Sequence, residues 1–440
     1  VTSTQRSLQG TELEHLHRSA YGFGADAFHR FRGGEYIANL SLLGSHVQGS
    51  ETAIERTQRA PGHYFHRPDA DHVELDPTRT SLSGFSLTGR VQRVQGRLKW
   101  GVFAEANSPG YEISDLGFNP RLDYVSTQGW ARIEDFTPGR LFQNWSLGTS
   151  VGLQRGWGGE LLELTGDLGF FFQLNNNWGG GVWAMRHRPS WSTTALRGGP
   201  ALRRPGRWMG SFSVNSDRRR SLSGDGFFFW MVEDEGDGYE ANGSTNLQIQ
   251  PSERLDLRFG PSFGRARSSW QYVARRGLTD GDAYFVGGLE RTTVSMSVRL
   301  NYTFSPSLSL QLYARPFLAA GTYDEVREVV APTAESFADR FQTHAGQENE
   351  DGSRRFDVDR DGDGTADVSL GDPSFNLASL QMNTVLRWEY RPGSTLFAVW
   401  THDRDRFGRS AWALGDGLDG LRGVPGRNVF QLKISYWMGL

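Results

Sequence analysis

The 440-residue chain has no cysteine, which excludes disulfides, thiolate metal sites and cysteine nucleophiles together. It also has no apolar run near the roughly 18 or more residues that a membrane helix needs. The longest runs, Phe227 to Val232 and Gly169 to Phe172, are far shorter. Neither charge is in excess: 47 Lys and Arg stand against 50 Asp and Glu, a formal net charge of -3, which argues against a nucleic-acid partner. Val1 opens the chain without a charged n-region, an apolar h-region or a small-residue cleavage site, so any secretion signal is already removed or never belonged to this sequence. Helical patterning is scarce, because Gly, Asn, Thr and Ser recur inside the apolar segments and weaken helices there. The chain reads as all-β.

What is present is strict alternation over long stretches. From Thr292 to Ser305, Val294, Met296, Val298, Leu300, Tyr302 and Phe304 fall on one face, and Thr293, Ser295, Ser297, Arg299, Asn301 and Thr303 on the other. Phe430, Leu432, Ile434, Tyr436, Met438 and Leu440 repeat the pattern at the end of the chain. So do Leu98, Trp100, Val102, Ala104 and Ala106, and Leu255, Leu257, Phe259 and Phe263. Strands of a soluble sandwich or propeller average about 5 to 6 residues; these run to about 10 to 14, enough to cross a bilayer at a tilt. Short turns (Thr137-Pro138-Gly139-Arg140, Asn175-Asn176-Asn177, Pro251-Ser252-Glu253, Ser305-Pro306-Ser307, Arg391-Pro392-Gly393) alternate with long connections near 48–80, 108–121, 189–205, 320–374 and 406–427. That asymmetry is the one between periplasmic turns and extracellular loops. Trp130, Trp145, Trp230, Tyr302, Trp388, Tyr390, Trp400, Tyr436 and Trp437 supply candidate interfacial girdles.

The expected fold is therefore an all-β, transmembrane antiparallel β-barrel of roughly 18–20 strands over residues 20–440, closed into a cylinder, with residues 1–19 as an N-terminal segment or one extra strand. Parity sharpens this expectation. If Leu440 ends a strand descending to the periplasm, Ala20 to Phe31 descends as well. Single-chain barrels usually have an even strand number with both ends periplasmic. Either residues 1–19 then add an ascending strand, or the chain is the C-terminal part of a larger barrel.

Several runs resemble an uncharacterised bacterial barrel family found C-terminal to family-9-like carbohydrate-binding modules: His63-Tyr64-Phe65-His66-Arg67-Pro68-Asp69-Ala70, Asp76-Pro77-Thr78-Arg79-Thr80-Ser81-Leu82-Ser83-Gly84, Ser108-Pro109-Gly110-Tyr111-Glu112-Ile113, Leu312-Tyr313-Ala314-Arg315-Pro316-Phe317 and Val385-Leu386-Arg387-Trp388-Glu389-Tyr390. The resemblance spans most of the chain. It implies an outer-membrane location and, in relatives, an upstream region with a carbohydrate-binding module and further strands, but it carries no catalytic residue. Barrel chains commonly finish in an aromatic residue, whereas this one finishes in Leu440.

The sharpest local motif is Asp359-Arg360-Asp361-Gly362-Asp363-Gly364-Thr365-Ala366-Asp367. Carboxylates at positions 1, 3, 5 and 9 with glycine at 6 match the start of a calcium loop, and Thr365 would offer its carbonyl. Position 12 is Leu370, so the bidentate Glu of an EF-hand is absent and weak, loop-ordering Ca2+ binding is expected, with Asp357 or Asp372 as further ligands. His63, His66 and His72 with Asp69 and Asp71 have no metal-fixing spacing and read as polar loop contacts. The run Glu233-Asp234-Glu235-Gly236-Asp237-Gly238 reads as a solvated loop tip. Arg203-Arg204-Pro205-Gly206-Arg207 reads as a contact for anionic lipid headgroups, and Arg218-Arg219-Arg220 as a periplasmic turn. No strained Gly-x-Ser-x-Gly elbow occurs in a strand-turn-helix context, so no enzyme and no catalytic residue are expected.

The inward faces carry Lys99, Glu105, Asp256, Arg258, Arg299, Asn301, Arg315, Arg387, Glu389 and Lys433. In hydrocarbon, basic side chains among these would cost about 2 to 4 kcal/mol each near the midplane, so they must face a lumen. The leading functional expectation is a channel or uptake pore for small polar or glycan-derived solutes. The alternative is a closed barrel whose extracellular loops bind a partner protein or polysaccharide. Outer-membrane lipid and lipopolysaccharide are the expected surroundings in both cases.

Overall fold

The computed structural model describes residues 1–8, 10–118, 121–279, 281–348, 354–360, 362–408 and 414–438. The first half of the wall is built from β1 (Thr2–Gln5), β2 (Ser19–Phe31), β3 (Tyr36–Gln48), β4 (Ser81–Arg93), β5 (Leu98–Asn107), β6 (Tyr124–Asp135), β7 (Phe142–Gly156), β8 (Leu161–Leu174) and β9 (Gly179–His187). A small hairpin, β10 (Ser190–Ser192) with β11 (Leu202–Arg204), leaves the wall. The wall resumes with β12 (Arg207–Asn215), β13 (Leu222–Glu233), β14 (Tyr239–Ser252), β15 (Leu255–Leu278), β16 (Gly281–Ser305) and β17 (Leu308–Val329). β18 (Phe341–Ala345) pairs with the top of β17, while β19 (Gln347–Glu348), β20 (Arg354–Val358) and β21 (Val368–Gly371) form a separate three-stranded sheet. The wall ends with β22 (Phe375–Arg391), β23 (Ser394–Gly408) and β24 (Arg427–Ser435). All ladders are antiparallel between neighbours, and they join into one 19-stranded sheet.

The period-2 pattern sets the register. Phe263 stands opposite Val294, which stands opposite Leu318, whereas Gly264, Thr293 and Ala319 share the other face. On the first face many large apolar side chains are exposed, Val102 51%, Phe212 51% and Phe263 53%, whereas Leu318 is buried in a cluster with Ala378 and Leu421. A water-soluble protein rarely leaves so much contiguous apolar surface uncovered; a lipid-facing wall must. Phe212, Phe228, Phe263, Val294, Met296 and Leu318 line an apolar depression of about 780 Å³ on that side. The opposite face of the same strands carries a polar recess of about 290 Å³, lined by residues that include Asn246, Gln248, Arg258, Ser297 and Arg299. Short turns join the strands at one end of the wall, and all the long connections stand at the other, although 157–160, 234–238 and 279–280 are short links at that end too.

Three expectations are corrected. The connections near 48–80 and 406–427 are not purely irregular, because each holds a helix, α1 (Glu51–Arg59) and α2 (Leu414–Gly423). Ser50 caps α1 by accepting from the Ala53 amide at 3.2 Å. Spacing of four between Ala53 and Thr57 and between Ile54 and Gln58 gives the helix a buried face, from which Ile54 packs on Ala20, Val47 and Leu82 of the wall. β15 and β16 reach 24 and 25 residues rather than about 10 to 14, and pair up to Leu278 opposite Gly281. Finally, β24 pairs only with β23, and Phe23–Phe31 of β2 pairs only with β3, so among the described residues no ladder closes the cylinder.

Candidate functional site

The long connections fold over the mouth of the wall and hold one another. The 108–118 segment is drawn onto the inner face of β3 and β4, where Ser45 Oγ accepts from the Glu112 amide at 2.8 Å. A Cβ on Gly84 would lie 2.1 Å from the Tyr111 nitrogen, so only glycine lets this backbone approach. His63 Nε2 meets Glu112 Oε2 at 2.9 Å, and its Nδ1 meets the Pro109 carbonyl at 2.8 Å. Both side chains are under a tenth exposed. Burial pushes the Glu112 carboxyl up, but hydrogen bonds from His63 and Ser114 outweigh it and hold the group down at about 2. His72 pairs with Asp123 at 2.8 Å, where burial pushes the acid above its ordinary range despite the imidazole. Arg67, 3% exposed, reaches Asp69 at 3.1 Å and Glu160 at 2.8 Å.

From there the contacts cross to other connections. Asp69 Oδ2 accepts from the Ala201 amide at 2.7 Å, which ties the α1 loop to the β10–β11 hairpin. That hairpin in turn bonds the segment beyond β17, through the Arg203 amide to Pro332 O at 3.0 Å and Arg340 Nη1 to Arg203 O at 3.2 Å. Arg340 is fully buried and also donates to the Ala334 carbonyl and to Glu235 at 2.9 Å. β4 and β9 stand five ladders apart, roughly 24 Å along the wall at the usual strand spacing. Loops standing near them meet directly, so together they form a roof over the mouth.

The sequence-predicted candidates fall into place unevenly. His63 and His72 make carboxylate contacts with Glu112 and Asp123, and among the described residues they gather with no group of three ligating side chains. The acidic run is not a free tip: Asp234 pairs with Arg186, Asp237 with Arg267 and Glu235 with Arg340. Of the arginines at 203–207, Arg203 lies 3.6 Å from Glu335. Arg204 lies 5.6 Å from the Trp270 ring, and burial, then the neighbouring Arg207, pushes its guanidinium below the usual range. Trp130 is not in a girdle, since it shares the inner polar face with Lys99 and Arg132. In the calcium-like turn, Asp359 accepts from the Gly362 amide at 2.8 Å and the Gly364 amide at 2.9 Å, with both glycines at positive φ. Asp363 accepts from the Thr365 amide, and Asp367 from the Arg360 amide. Asp361 lies outside the described residues. Asp357 accepts from Arg355 and Ser369, and Asp372 from the Ser374 amide. Among the described residues no group of three or more ligating side chains gathers.

A family model described as domain of unknown function DUF5916 matches residues 63–440. The chain belongs to this family. DUF5916 thus covers the roof, the lumen wall and β24, leaving β1, β2, β3 and α1 ahead of the matched region. Among solved structures, the chain is similar to a complex of the ferric enterobactin receptor PfeA with BCV-L6, at 10% identity and a TM-score of 0.40, over 91% of this chain and 68% of that one. It is also similar to a mutant of that receptor from Pseudomonas aeruginosa in complex with enterobactin, at 9% identity and a TM-score of 0.38, over 89% and 66%. No curated protein matches the chain. The membership, the outward apolar band and the antiparallel wall together describe an outer-membrane β-barrel. The roof contacts themselves link residues far apart in sequence, such as Asp69 with Ala201, and no motif in the chain announces them.

Proposed function

We propose that this barrel is an uptake pore for small polar solutes, with the loop roof acting as a selective mouth. The observation that supports the reading is the solvent-exposed polar inner wall beneath the roof, including the recess beside Gln248 and Arg299. Planar-bilayer recording of the purified protein tests it. Discrete conductance steps are expected, and they should grow when residues 49–80 are cut or deleted. Absence of conductance both with the roof intact and with it removed refutes the pore.

One observation favours a second reading, a closed barrel that carries a binding platform for a partner protein or a surface polysaccharide. The roof is knit by the buried His63–Glu112 hydrogen bond and by the Arg340–Glu235 ion pair, more than a passive gate requires. Glycan retention on the intact protein, lost when the roof is cut, supports the platform. Neither reading uses a catalytic group. Weak Ca2+ binding belongs to the same proposal: Asp359, Asp363, Thr365 and Asp367, with Asp361, would supply hard oxygen donors on a turn already shaped by Gly362 and Gly364. Chelation should raise protease cleavage between 357 and 372 and leave the wall intact.

A further inference from the structure

Several inward arginines of the wall are neutralised in place. Arg132 meets Glu134 at 3.1 Å, Arg258 meets Asp256 at 2.7 Å, Arg387 meets Glu389 at 2.9 Å and Arg427 meets Asp403 at 3.1 Å. Arg291, Arg299 and Arg315 differ. All three are exposed and lie on the inward face of β16 and β17, and among the described residues none has a carboxylate oxygen within 4.0 Å. Arg299 instead lies 5.3 Å from the ring of Tyr313, its cross-strand partner. Between the levels of Arg291 and Arg299, about 26 Å of strand at the usual rise, the inward residues of β15, β16, β17 and β22 are Ser, Thr, Gly, Ala, Leu, Phe, Tyr, Asn, Gln and Arg, without one Asp or Glu.

At the lower end this strip opens into the polar recess of about 290 Å³. Gly260 creates part of that space, for a Cβ there would stand 2.5 Å from Ser297 Oγ and 2.8 Å from Asn246 Oδ1. The recess offers Arg299 without a counter-ion among the described residues, Arg258 held by Asp256, Arg218 3.8 Å from Asp225, and the amides of Asn246 and Gln248, which donate to Asp225 at 2.9 Å and Asp256 at 3.3 Å and leave their oxygens for a ligand. This arrangement fits an oxyanion bonded through its charge by Arg299, away from Asp225, with hydroxyls of the same solute donating to the amide oxygens.

From this geometry we infer that the pore takes anionic solutes, small polar molecules bearing a carboxylate, phosphate or sulfate, which pass along Arg291, Arg315 and Arg299 and pause in the recess under Ser297. The inference rests on the pore reading and names its substrate class. Unpaired cations along a narrow wall raise the local anion concentration and lower the barrier to anion entry, while repelling cations. The paired arginines elsewhere on the wall contribute little net field.

Reversal potentials across a KCl gradient test the inference. The wild type should prefer chloride, Arg299→Gln with Arg315→Gln should lower the chloride-to-potassium permeability ratio several-fold, and Arg299→Lys with Arg315→Lys should keep it. A conducting wild type that prefers potassium, or a ratio unmoved by the glutamine pair, overturns the inference and leaves the pore standing. A protein that never conducts refutes the pore, and calorimetric titration of inorganic phosphate into the detergent-purified protein then decides the recess separately. Saturable binding weakened at least about tenfold by Arg299→Gln sustains it, since that loss is the size expected for one charge-assisted bond. No saturable binding, or binding indifferent to Arg299→Gln, removes it.

Discussion

Replacing Glu112 by glutamine gives a direct measure of what holds the roof down. A glutamate of ordinary behaviour titrates near 4.5, and the His63 and Ser114 hydrogen bonds hold Glu112 at about 2. That gap corresponds to about 3 kcal/mol of preference for the charged form in the closed roof. The sign follows from the lowered value: the contribution is fully present above about pH 4.5 and is lost as pH falls from there toward about 2. Hydrogen exchange of the 108–118 amides in lipid nanodiscs reads the opening free energy, with amides of β6 as an internal control. The wild type should lose protection in the 108–118 segment across that acid range while β6 stays protected. Glu112→Gln should open more readily near neutral pH, by up to about 3 kcal/mol, and lose most of its acid dependence. A variant that keeps wild-type protection near neutral pH and the same decline in acid refutes the assignment of the roof to this pair.

Other substitutions probe the wall and the clasp. Gly84→Ala should push the 108–118 segment off β4, because the new methyl would meet the Tyr111 backbone; the readout is faster protease cleavage there with unchanged heat-modified gel mobility of the barrel. Arg340→Leu leaves Glu235 and several carbonyls without their buried donor, and should cost about 3 to 5 kcal/mol in roof stability, read by loop-specific exchange. Val298→Arg, on the lipid face, should destabilise refolding into bilayers by about 2 to 4 kcal/mol, whereas Ser297→Arg on the lumen face should cost far less. Equal costs at the two neighbouring positions would invert the assignment of the faces.

Much of the wall was legible because a period-2 pattern repeated over ten or more residues has few other uses. The alternation of Val294, Met296, Val298 and Leu300 against Ser295, Ser297 and Arg299 already separates lipid from lumen, and the observed register keeps that separation across β15, β16 and β17. The roof was not legible. Its contacts join side chains more than a hundred residues apart, such as Arg340 to Arg203 and Asp69 to Ala201, and such contacts leave no periodicity. Arg203 and Arg204 therefore resembled membrane-edge anchors, although the hairpin carrying them folds inward. Helix α1 escaped because Glu51–Arg59 is mostly polar and only its inner face, seen against Ala20 and Val47, gives it a reason to form. Trp130 shows the limit of composition, for an aromatic side chain on the inner face reads like a girdle residue until its neighbours are known.

The two edges of the wall decide a last point. A lipid environment offers no hydrogen bonds to backbone groups, so an uncovered strand edge cannot sit in hydrocarbon. β2 and β24 close an alternating series of antiparallel ladders in which they run in the same direction, so a direct ladder between them would be parallel. Antiparallel closure needs an odd number of strands between them. β1 has the right direction, pairing antiparallel with β2 from Thr2 opposite Gly22 to Gln5 opposite Ser19, but it covers only the upper end of that edge. Below it, among the described residues, Phe23–Phe31 and the whole of Arg427–Ser435 pair on one side only. The outward Phe430, Leu432 and Ile434, each more than 60% exposed, place β24 at membrane height. In nanodiscs, therefore, the outer-edge amides of β24 should be as protected from exchange as those of β23, because strand pairing from elsewhere covers them. Rapid exchange confined to that edge, in a protein that otherwise remains lipid-embedded, would mean that the edge lines a water-filled cleft and that the wall is a half-open trough.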